Sequence, residues 1–304
     1  MKRLLFLFAL VLAFGAQNIC AQSVYGEMTL EYQDGYLFAK TSMPDGGKAW
    51  FAVDLAAQAT AVTKAFASNM KIQKEQSSND PLDHGTAQYA LGGFGFRGEI
   101  VGRTTMPSLS LGGLSFTDAS VMVMNQAPTV AGRTIAGILG VDLLRRAEVA
   151  VFRYGNAPTL VLKSKTNTAV KGTIEMPMRV VNNAIFVEGT LNGQKVDYLL
   201  DTGSPESYLP IKTLRLTGAA AVPNSTREIT TLDGEKAKVR GAQVESITLG
   251  GEEFTGLPFN IAELPVFGRL PQTLTPVLLG NAFFSSMQFV EINFEGNTVR
   301  LKKQ

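Results

Sequence analysis

The sequence predicts an all-β protein built from two similar lobes, and three observations lead to this fold class. From Glu27 onward, short alternating segments are separated by turn signals such as Asn192-Gly193, a pattern typical of strands joined by hairpins. Helix signals are short and lie at 61–68, 141–146 and 211–216. The same series of features occurs twice, at offsets of roughly 138 to 148 residues, which indicates an internal repeat.

Residues 1–21 have a different composition from the rest of the chain. Lys2 and Arg3 precede an apolar run at 4–15, which is shorter than the about 20 residues that a membrane helix needs. Small residues end the segment, as in a secretory signal peptide. We therefore expect a secreted or periplasmic protein with this segment removed and with no membrane span. A lipid anchor on Cys20 is the alternative, although the residues before it match a lipoprotein signal poorly.

The two copies of the repeat match segment by segment. The matched pairs are 36–38 with 184–186, 50–54 with 198–201, 111–117 with 249–255, 137–144 with 277–284, and the closing hairpins 149–162 with 289–301. Because these pairs keep one order, duplication explains them better than chance does. They divide the mature chain into lobes 22–165 and 171–304, joined by a short polar link.

The stretch 198–204 runs from apolar residues straight into Asp201, Thr202, Gly203 and Ser204. An aspartate directly after a buried strand is costly unless its charge is hydrogen-bonded or shared with another acid. Glycine lets the backbone turn sharply and brings amide groups close to the carboxylate, and the two hydroxyls can orient it. This pattern predicts a carboxylate held rigidly at a strand end and available to a ligand in a cleft.

These four residues resemble the Asp-Thr-Gly-Ser active-site loop of aspartic peptidases, both pepsin-like and retropepsin-like. Ile138-Leu139-Gly140 and Leu278-Leu279-Gly280 resemble the hydrophobic segments that brace the two loops of that family from behind. The resemblance covers nearly all of the mature chain. It implies two all-β lobes of the acid protease fold with a cleft between them, and a peptide or protein substrate.

The segment 89–98 resembles the flap hairpin that closes over substrate in pepsin-like members. The flap candidates are Tyr89, Gly92 and Gly93. The family's flap tyrosine has no clean match, because Leu91 falls nearest to its place, so an ordinary hairpin is the competing interpretation.

The resemblance implies catalysis by two aspartates that share one proton, since two acids about 3 Å apart cannot both ionise. Asp201 has the full loop, and Asp54 stands at the matching place in the first lobe. Two neighbours depart from the family pattern. Leu55 has no hydroxyl for hydrogen bonds between the lobes, and we expect Ala56 to crowd the turn. Asp54 is therefore either the catalytic partner or a relic acid.

Composition and charge exclude several other classes of protein. The net charge of +2 falls to about zero once 1–21 is removed, so no basic surplus favours nucleic acid as a partner. The same removal takes away Cys20, the only cysteine, and with it any disulfide or thiol nucleophile. His84 is the only histidine and supports neither a zinc site nor a serine–histidine hydrolase. A formal dinucleotide fingerprint at 93–98 precedes a strand-like segment, so we expect no cofactor and no metal.

Three interpretations remain open. The favoured one is an aspartic endopeptidase that uses Asp201 and Asp54. The second is a catalytically inactive protein of the same fold that binds peptide or protein in the cleft. The third pairs two Asp201 residues across a homodimer, as single-lobe retropepsins do, although the sequence favours a monomer.

Overall fold

The computed structural model describes four parts of the chain, which are residues 24–71, 100–164, 171–230 and 236–304. Strands account for 54% and helices for 11% of the structure, which confirms the all-β fold class. The signal segment, His84 and the flap candidates Tyr89, Gly92 and Gly93 lie outside the described residues.

In the part of the chain that the structure describes, strands occupy both halves, and five short helices connect them. In the first half the strands are β1 (Val24–Gln33), β2 (Tyr36–Ser42), β3 (Lys48–Val53), β4 (Ala61–Thr63), β5 (Ile100–Leu111), β6 (Leu114–Met124), β7 (Thr129–Val130), β8 (Arg133–Thr134), β9 (Gly137–Leu139), β10 (Val149–Arg153) and β11 (Thr159–Lys163). In the second half they are β12 (Ile174–Val181), β13 (Ala184–Leu191), β14 (Gln194–Leu200), β15 (Ser207–Leu209), β16 (Ala220–Ala221), β17 (Arg227–Thr230), β18 (Lys236–Gln243), β19 (Ser246–Leu249), β20 (Glu252–Thr255), β21 (Phe259–Ile261), β22 (Pro276–Leu279), β23 (Met287–Asn293) and β24 (Thr298–Lys303). The helices are α1 (Lys64–Asn69), α2 (Val141–Leu144), α3 (Ile211–Leu216), α4 (Pro265–Arg269) and α5 (Asn281–Phe284).

The helix predicted from Ala61 begins three residues later than expected. The segment Ala61–Thr63 is strand β4, which pairs with β6 and β9. Thr63 then caps α1, because its hydroxyl accepts a hydrogen bond from the Phe66 N–H at 3.1 Å. Tertiary pairing thus outweighs the local helix preference of this stretch. Helices α4 and α5 were not predicted, although α5 is as long as α2 and lies at the equivalent place in the repeat.

Each half places one aspartate at the end of a buried strand that has a parallel neighbour. Strand β3 pairs with β9, with Val53 opposite Leu139, and β14 pairs with β22, with Leu200 opposite Leu279. The residue after each of these strands is the aspartate of its half. All four strand ends are buried, as expected for parallel strands covered on both faces. The two predicted braces are therefore the parallel partners of the two aspartate strands.

One antiparallel sheet connects the two halves. Its strand order is β1, β11, β10, β23, β24, β12, and the pairing of β10 with β23 joins the first half to the second. Glu291 lies buried in this sheet, where it accepts a hydrogen bond from Lys163 at 3.1 Å and pairs with Arg300. Within the described residues, no helix is long and apolar enough to cross a membrane.

Candidate active site

Asp201 follows β14 and is fully buried, at 0% exposure. Its backbone N–H donates to the Leu279 carbonyl at 3.0 Å, which fixes the loop to the neighbouring strand. The Gly203 N–H donates to Asp201 Oδ1 at 2.8 Å. A carboxyl group removed from water needs such donors, because an unpaired buried charge is costly.

Asp54 occupies the corresponding place after β3 and is 1% exposed. Its N–H donates to the Leu139 carbonyl at 3.0 Å. Its Oδ1 atom accepts hydrogen bonds from the N–H groups of Ala56 at 2.7 Å and Ala57 at 3.1 Å. The expectation that Ala56 crowds the turn is therefore wrong. Ala56 donates to Asp54 as Gly203 donates to Asp201, since a backbone N–H is available from either residue type.

The two carboxyl groups meet within one chain. The Asp54 carboxyl group lies close enough to that of Asp201 for the two groups to interact. Burial raises the pKa of Asp54 above its ordinary value of 3.8, and hydrogen bonds from Ala56, Asp201, Ala57 and Gly203 oppose this rise. Two buried carboxyl groups that interact directly are expected to share one proton between them.

Gly203 has a steric role that the sequence analysis did not predict. A Cβ atom built on Gly203 would lie 2.3 Å from Asp54 Cγ and 2.3 Å from Asp54 Oδ2. These distances are far below van der Waals contact, which is about 3.5 to 4.0 Å between carbon atoms. The absence of a side chain at Gly203 is what allows the two loops to approach closely enough for their carboxyl groups to meet.

The Thr202 hydroxyl connects the two loops. It donates to the Val53 carbonyl at 2.9 Å and accepts a hydrogen bond from the Leu55 N–H at 3.0 Å. All of these atoms are buried, so the two hydrogen bonds satisfy groups on both sides of the contact. Leu55, which stands where Thr202 stands in the repeat, is itself fully buried in the apolar core. The chain thus has one bridging hydroxyl at this contact, and the equivalent position adds apolar packing.

Ser204 closes the second loop. Its hydroxyl donates to the Glu206 carbonyl at 2.9 Å, and its own carbonyl accepts from the Asn281 N–H at 2.8 Å. The sequence analysis expected the hydroxyls of Thr202 and Ser204 to orient Asp201. In the structure they fix the backbone of the loop that carries Asp201.

The glycines of the two braces lie where backbone segments approach closely. A Cβ atom on Gly280 would lie 2.2 Å from the Glu206 carbonyl oxygen, and one on Gly140 would lie 2.7 Å from the Ala59 carbonyl carbon. Neither position has room for a side chain. The braces therefore hold each aspartate loop by direct contact between main chains.

Tyr36 is a neighbour of the two aspartates that the sequence analysis did not identify. Burial raises the pKa of Tyr36 well above its ordinary value, and the nearby charges of Asp201, Glu206 and Asp54 add to this rise. The preceding residue, Gly35, packs directly against Pro205, with no room for a side chain between them. The repeat could not have revealed Tyr36, because its counterpart in the second half is Ala184, which has no polar group.

Glu206 is the centre of a polar cluster beside the Asp201 loop. Its carboxylate accepts hydrogen bonds from the Tyr208 hydroxyl at 2.7 Å and the Asn260 amide at 3.3 Å, and it pairs with Arg227. The contacts of Glu206 with three neighbours hold its charge in place near Tyr36. In the part of the chain that the structure describes, no group of three or more histidine, cysteine, aspartate or glutamate side chains could hold a metal ion.

Comparison with known families agrees with the second half of this site. The model of the aspartyl protease family matches residues 187–283. This segment contains β14, the Asp201 loop and the brace that ends at Gly280. Asp54 lies outside it, so only the geometry above connects Asp54 with the site. Curated proteins offer no match to this chain. Over residues 187–283, the chain is similar to the aspartyl protease family.

Proposed function

We propose that this protein is an aspartic endopeptidase, in which Asp54 and Asp201 activate a water molecule for attack on a peptide bond. The observation that carries the proposal is the close approach of two buried acids, because a Cβ atom on Gly203 in the Asp201 loop would lie 2.3 Å from Asp54 Cγ. The similarity of 187–283 to the aspartyl protease family supports it. The bridging hydroxyl of Thr202 supports it further, because this contact fixes the two loops against each other.

The chemistry follows from a pair of carboxyl groups with one shared proton. The ionised member takes a proton from water as the water oxygen bonds to the scissile carbonyl carbon, and the protonated member gives its proton to the carbonyl oxygen. In the second step the carbon–nitrogen bond breaks, and the acid that took the water proton gives it to the leaving amine. The other acid takes back a proton from a hydroxyl group of the tetrahedral intermediate as the new carboxylic acid forms. The pair ends with one proton, as it began. The step requires both acids within hydrogen-bond reach of one water molecule.

The proposed substrate is a polypeptide segment in extended form. A strand-like peptide can bind by main-chain hydrogen bonds, which give affinity with little dependence on side chains. Tyr36, which interacts with both acids, and Glu206, which lies beside the Asp201 loop, would then contact the residues around the scissile bond. We also propose that the protein is exported and begins after residue 21. N-terminal sequencing of the exported protein tests this, and an intact Met1 or an acylated Cys20 would contradict it.

One observation favours the second candidate, a protein of this fold that binds peptide without cleaving it. Leu55 stands where a hydroxyl residue would complete the contact between the loops, so Thr202 makes this contact alone. The homodimer interpretation is less favoured, because Asp54 already occupies the place beside Asp201 that a second Asp201 would need.

Two substitutions separate these possibilities. The full exported chain is incubated with a denatured polypeptide at several pH values, and cleavage is followed by mass spectrometry. We expect the wild type to cleave best at mildly acidic pH, and both Asp54→Asn and Asp201→Asn to lose cleavage while remaining folded. The solvent-exposed Asp118→Asn is the matched control and should retain the wild-type rate.

Each other outcome points to a different interpretation. Activity that survives Asp54→Asn but not Asp201→Asn, in a protein that sediments as a dimer, would indicate pairing across chains. A pure wild-type protein that binds peptide but cleaves nothing between about pH 3 and pH 8 would favour the non-catalytic candidate.

A further inference from the structure

Asn281 is a fully buried amide at the start of α5, and it makes three side-chain hydrogen bonds. Its Nδ2 group donates to the Thr202 carbonyl at 2.6 Å and to the Gly35 carbonyl at 2.8 Å. Its Oδ1 atom accepts from the Tyr154 hydroxyl at 2.8 Å. Both N–H donors of the amide and one of its acceptor sites are therefore used. Three distant parts of the chain converge on this single side chain.

The contact with Thr202 reaches Asp201 through one peptide group. The Thr202 carbonyl, which accepts from Asn281, belongs to the same planar peptide group as the Gly203 N–H. That N–H donates to Asp201 Oδ1 at 2.8 Å. A continuous chain of hydrogen bonds thus runs from the Tyr154 hydroxyl through Asn281 and this peptide group to the Asp201 carboxyl group. Hydrogen bonds in series polarise one another, which strengthens the last donor.

The repeat shows that the fold itself does not require an amide at this position. In the first half the corresponding residue is Val141, whose N–H donates to the Ala57 carbonyl at 2.9 Å. The Asn281 N–H makes the same main-chain contact with Ser204 at 2.8 Å. An apolar residue is therefore compatible with this backbone geometry. The Asn281 side chain gives the Asp201 loop a hydrogen bond that Val141, which has no polar side-chain group, cannot give to the Asp54 loop.

Burial raises the pKa of Tyr154 well above its ordinary value of 10, so its phenol keeps its proton and can act as a donor to Asn281. This fixes the direction of the hydrogen bonds. With Tyr154 donating to Oδ1, the Nδ2 group of Asn281 is turned toward the two carbonyls. The Tyr154 ring packs edge-on against Tyr32, with 6.3 Å between ring centroids, which holds it in place.

We propose that Asn281 and Tyr154 are positioning residues for the reaction, because they orient the Thr202–Gly203 peptide group whose N–H holds the Asp201 carboxyl group. The inference rests on the proposed function in taking Asp201 as a catalytic group. Asn281 contacts neither water nor substrate in this scheme and acts only through the loop. Among the described residues, Asp54 and Tyr36 interact with Asp201, and Glu206 acts on the same Tyr36; the proposed substitutions leave all three unchanged.

The experiment compares Asn281→Val, Tyr154→Phe and the double variant with the wild type. Asn281→Val reproduces the residue found in the first half of the repeat. We expect kcat to fall by about 10- to 100-fold, the range typical of residues that orient a reacting group from behind. KM should change little, since no substrate contact is lost. The acid limb of the pH profile should move to higher pH, because Asp201 loses part of a donor that favours its ionised form.

Tyr154→Phe distinguishes a connected chain from two separate contacts. Alone, it should lower kcat in the same direction but less than Asn281→Val. In the Asn281→Val background it should have no further effect, because the link to the loop is already broken. Thr217→Val is the matched control. It removes a buried hydroxyl that bonds the Thr213 carbonyl at the end of α3, and it should leave both kcat and the pH profile unchanged.

The inference and the proposed function fail in different ways. An active wild type whose kcat and pH profile are unchanged in folded Asn281→Val overturns the inference alone. A wild type that cleaves nothing overturns the proposed function, and the inference is then decided by titration of ¹³C-labelled aspartate carboxyl groups in the intact protein. A titration of Asp201 displaced to higher pH in the variant supports it, and an unchanged titration overturns it. If Asn281→Val fails to fold, Tyr154→Phe answers the same question by the same measurements.

Discussion

Substitution of Gly203 by alanine tests whether the chemistry depends on the close approach of the two loops. The added Cβ atom would lie 2.3 Å from Asp54 Cγ. Contact between carbon atoms normally begins at about 3.5 Å, so the Asp54 carboxyl group or the Gly203 backbone must move by about 1.2 Å. Both groups belong to buried, hydrogen-bonded loops, which leaves little freedom for such a movement.

The expected loss of activity follows from this displacement. A misplacement of about 1 Å in a catalytic constellation lowers the rate by about 100-fold. Overpacking of a buried site also lowers the free energy of unfolding by about 1 to 3 kcal/mol. We therefore expect Gly203→Ala to be folded, less stable than the wild type and about 100-fold slower in kcat. Initial rates of peptide cleavage and urea unfolding measure the two effects separately.

Gly268→Ala is the control for adding one methyl group. No atom lies within 4 Å of a Cβ built on Gly268, which is part of helix α4. Alanine should be neutral or stabilising there, because glycine in a helix costs about 0.5 to 1 kcal/mol relative to alanine. A folded Gly203→Ala protein with the wild-type kcat would refute the argument that catalysis needs this separation of the loops. Unchanged stability would refute the steric conflict itself.

Two further predictions concern buried charge. Because burial raises the pKa of Asp54 above 3.8, its contribution to stability is fully present below that pH and is lost as pH rises through the folded-state pKa. Urea unfolding should therefore show the wild type losing stability relative to Asp54→Asn as pH rises above about 4, and parallel curves would contradict this. Glu291→Gln should lower the free energy of unfolding by about 3 to 5 kcal/mol, because it leaves the buried cations Lys163 and Arg300 uncompensated. Glu252→Gln, in the exposed pair with Lys303, should cost less than about 1 kcal/mol, and equal effects would rule out a special role for the buried cluster.

The sequence was sufficient to predict the parts of the site that depend on local patterns. Parallel strands buried on both faces are continuous apolar runs, so the strands that end at Asp54 and Asp201 were visible directly. The repeat then identified Ile138-Leu139-Gly140 and Leu278-Leu279-Gly280 as equivalent segments. In the structure these segments pair in parallel with the aspartate strands, in agreement with the prediction that they brace the two loops.

The sequence could not predict the features that arise from long-range packing. Tyr36 and Asn281 are far from Asp201 in the sequence and come close to its loop only in the folded chain. The spacing of apolar residues along the sequence does not reveal such contacts. Ala56 stands where the family pattern has glycine, and the difference in side chain made it look disruptive. The hydrogen bond to Asp54 comes from the Ala56 backbone N–H, which does not depend on the side chain. Gly203 is needed because the Asp54 loop leaves no room for a side chain there. The distance between two loops cannot be inferred from the sequence of either one.

The sheet that joins the two halves limits how much of the protein can fold while the chain is still being synthesised. Strand β10 has its partner β23 only after most of the chain has been made, and Thr202 meets Val53 across 149 residues of sequence. The contact between the two aspartate loops cannot form before the chain has been made past Thr202. Under the proposed function, the chain would therefore lack its pair of acids for most of its synthesis. The proposed activity would begin only once both halves have folded against each other.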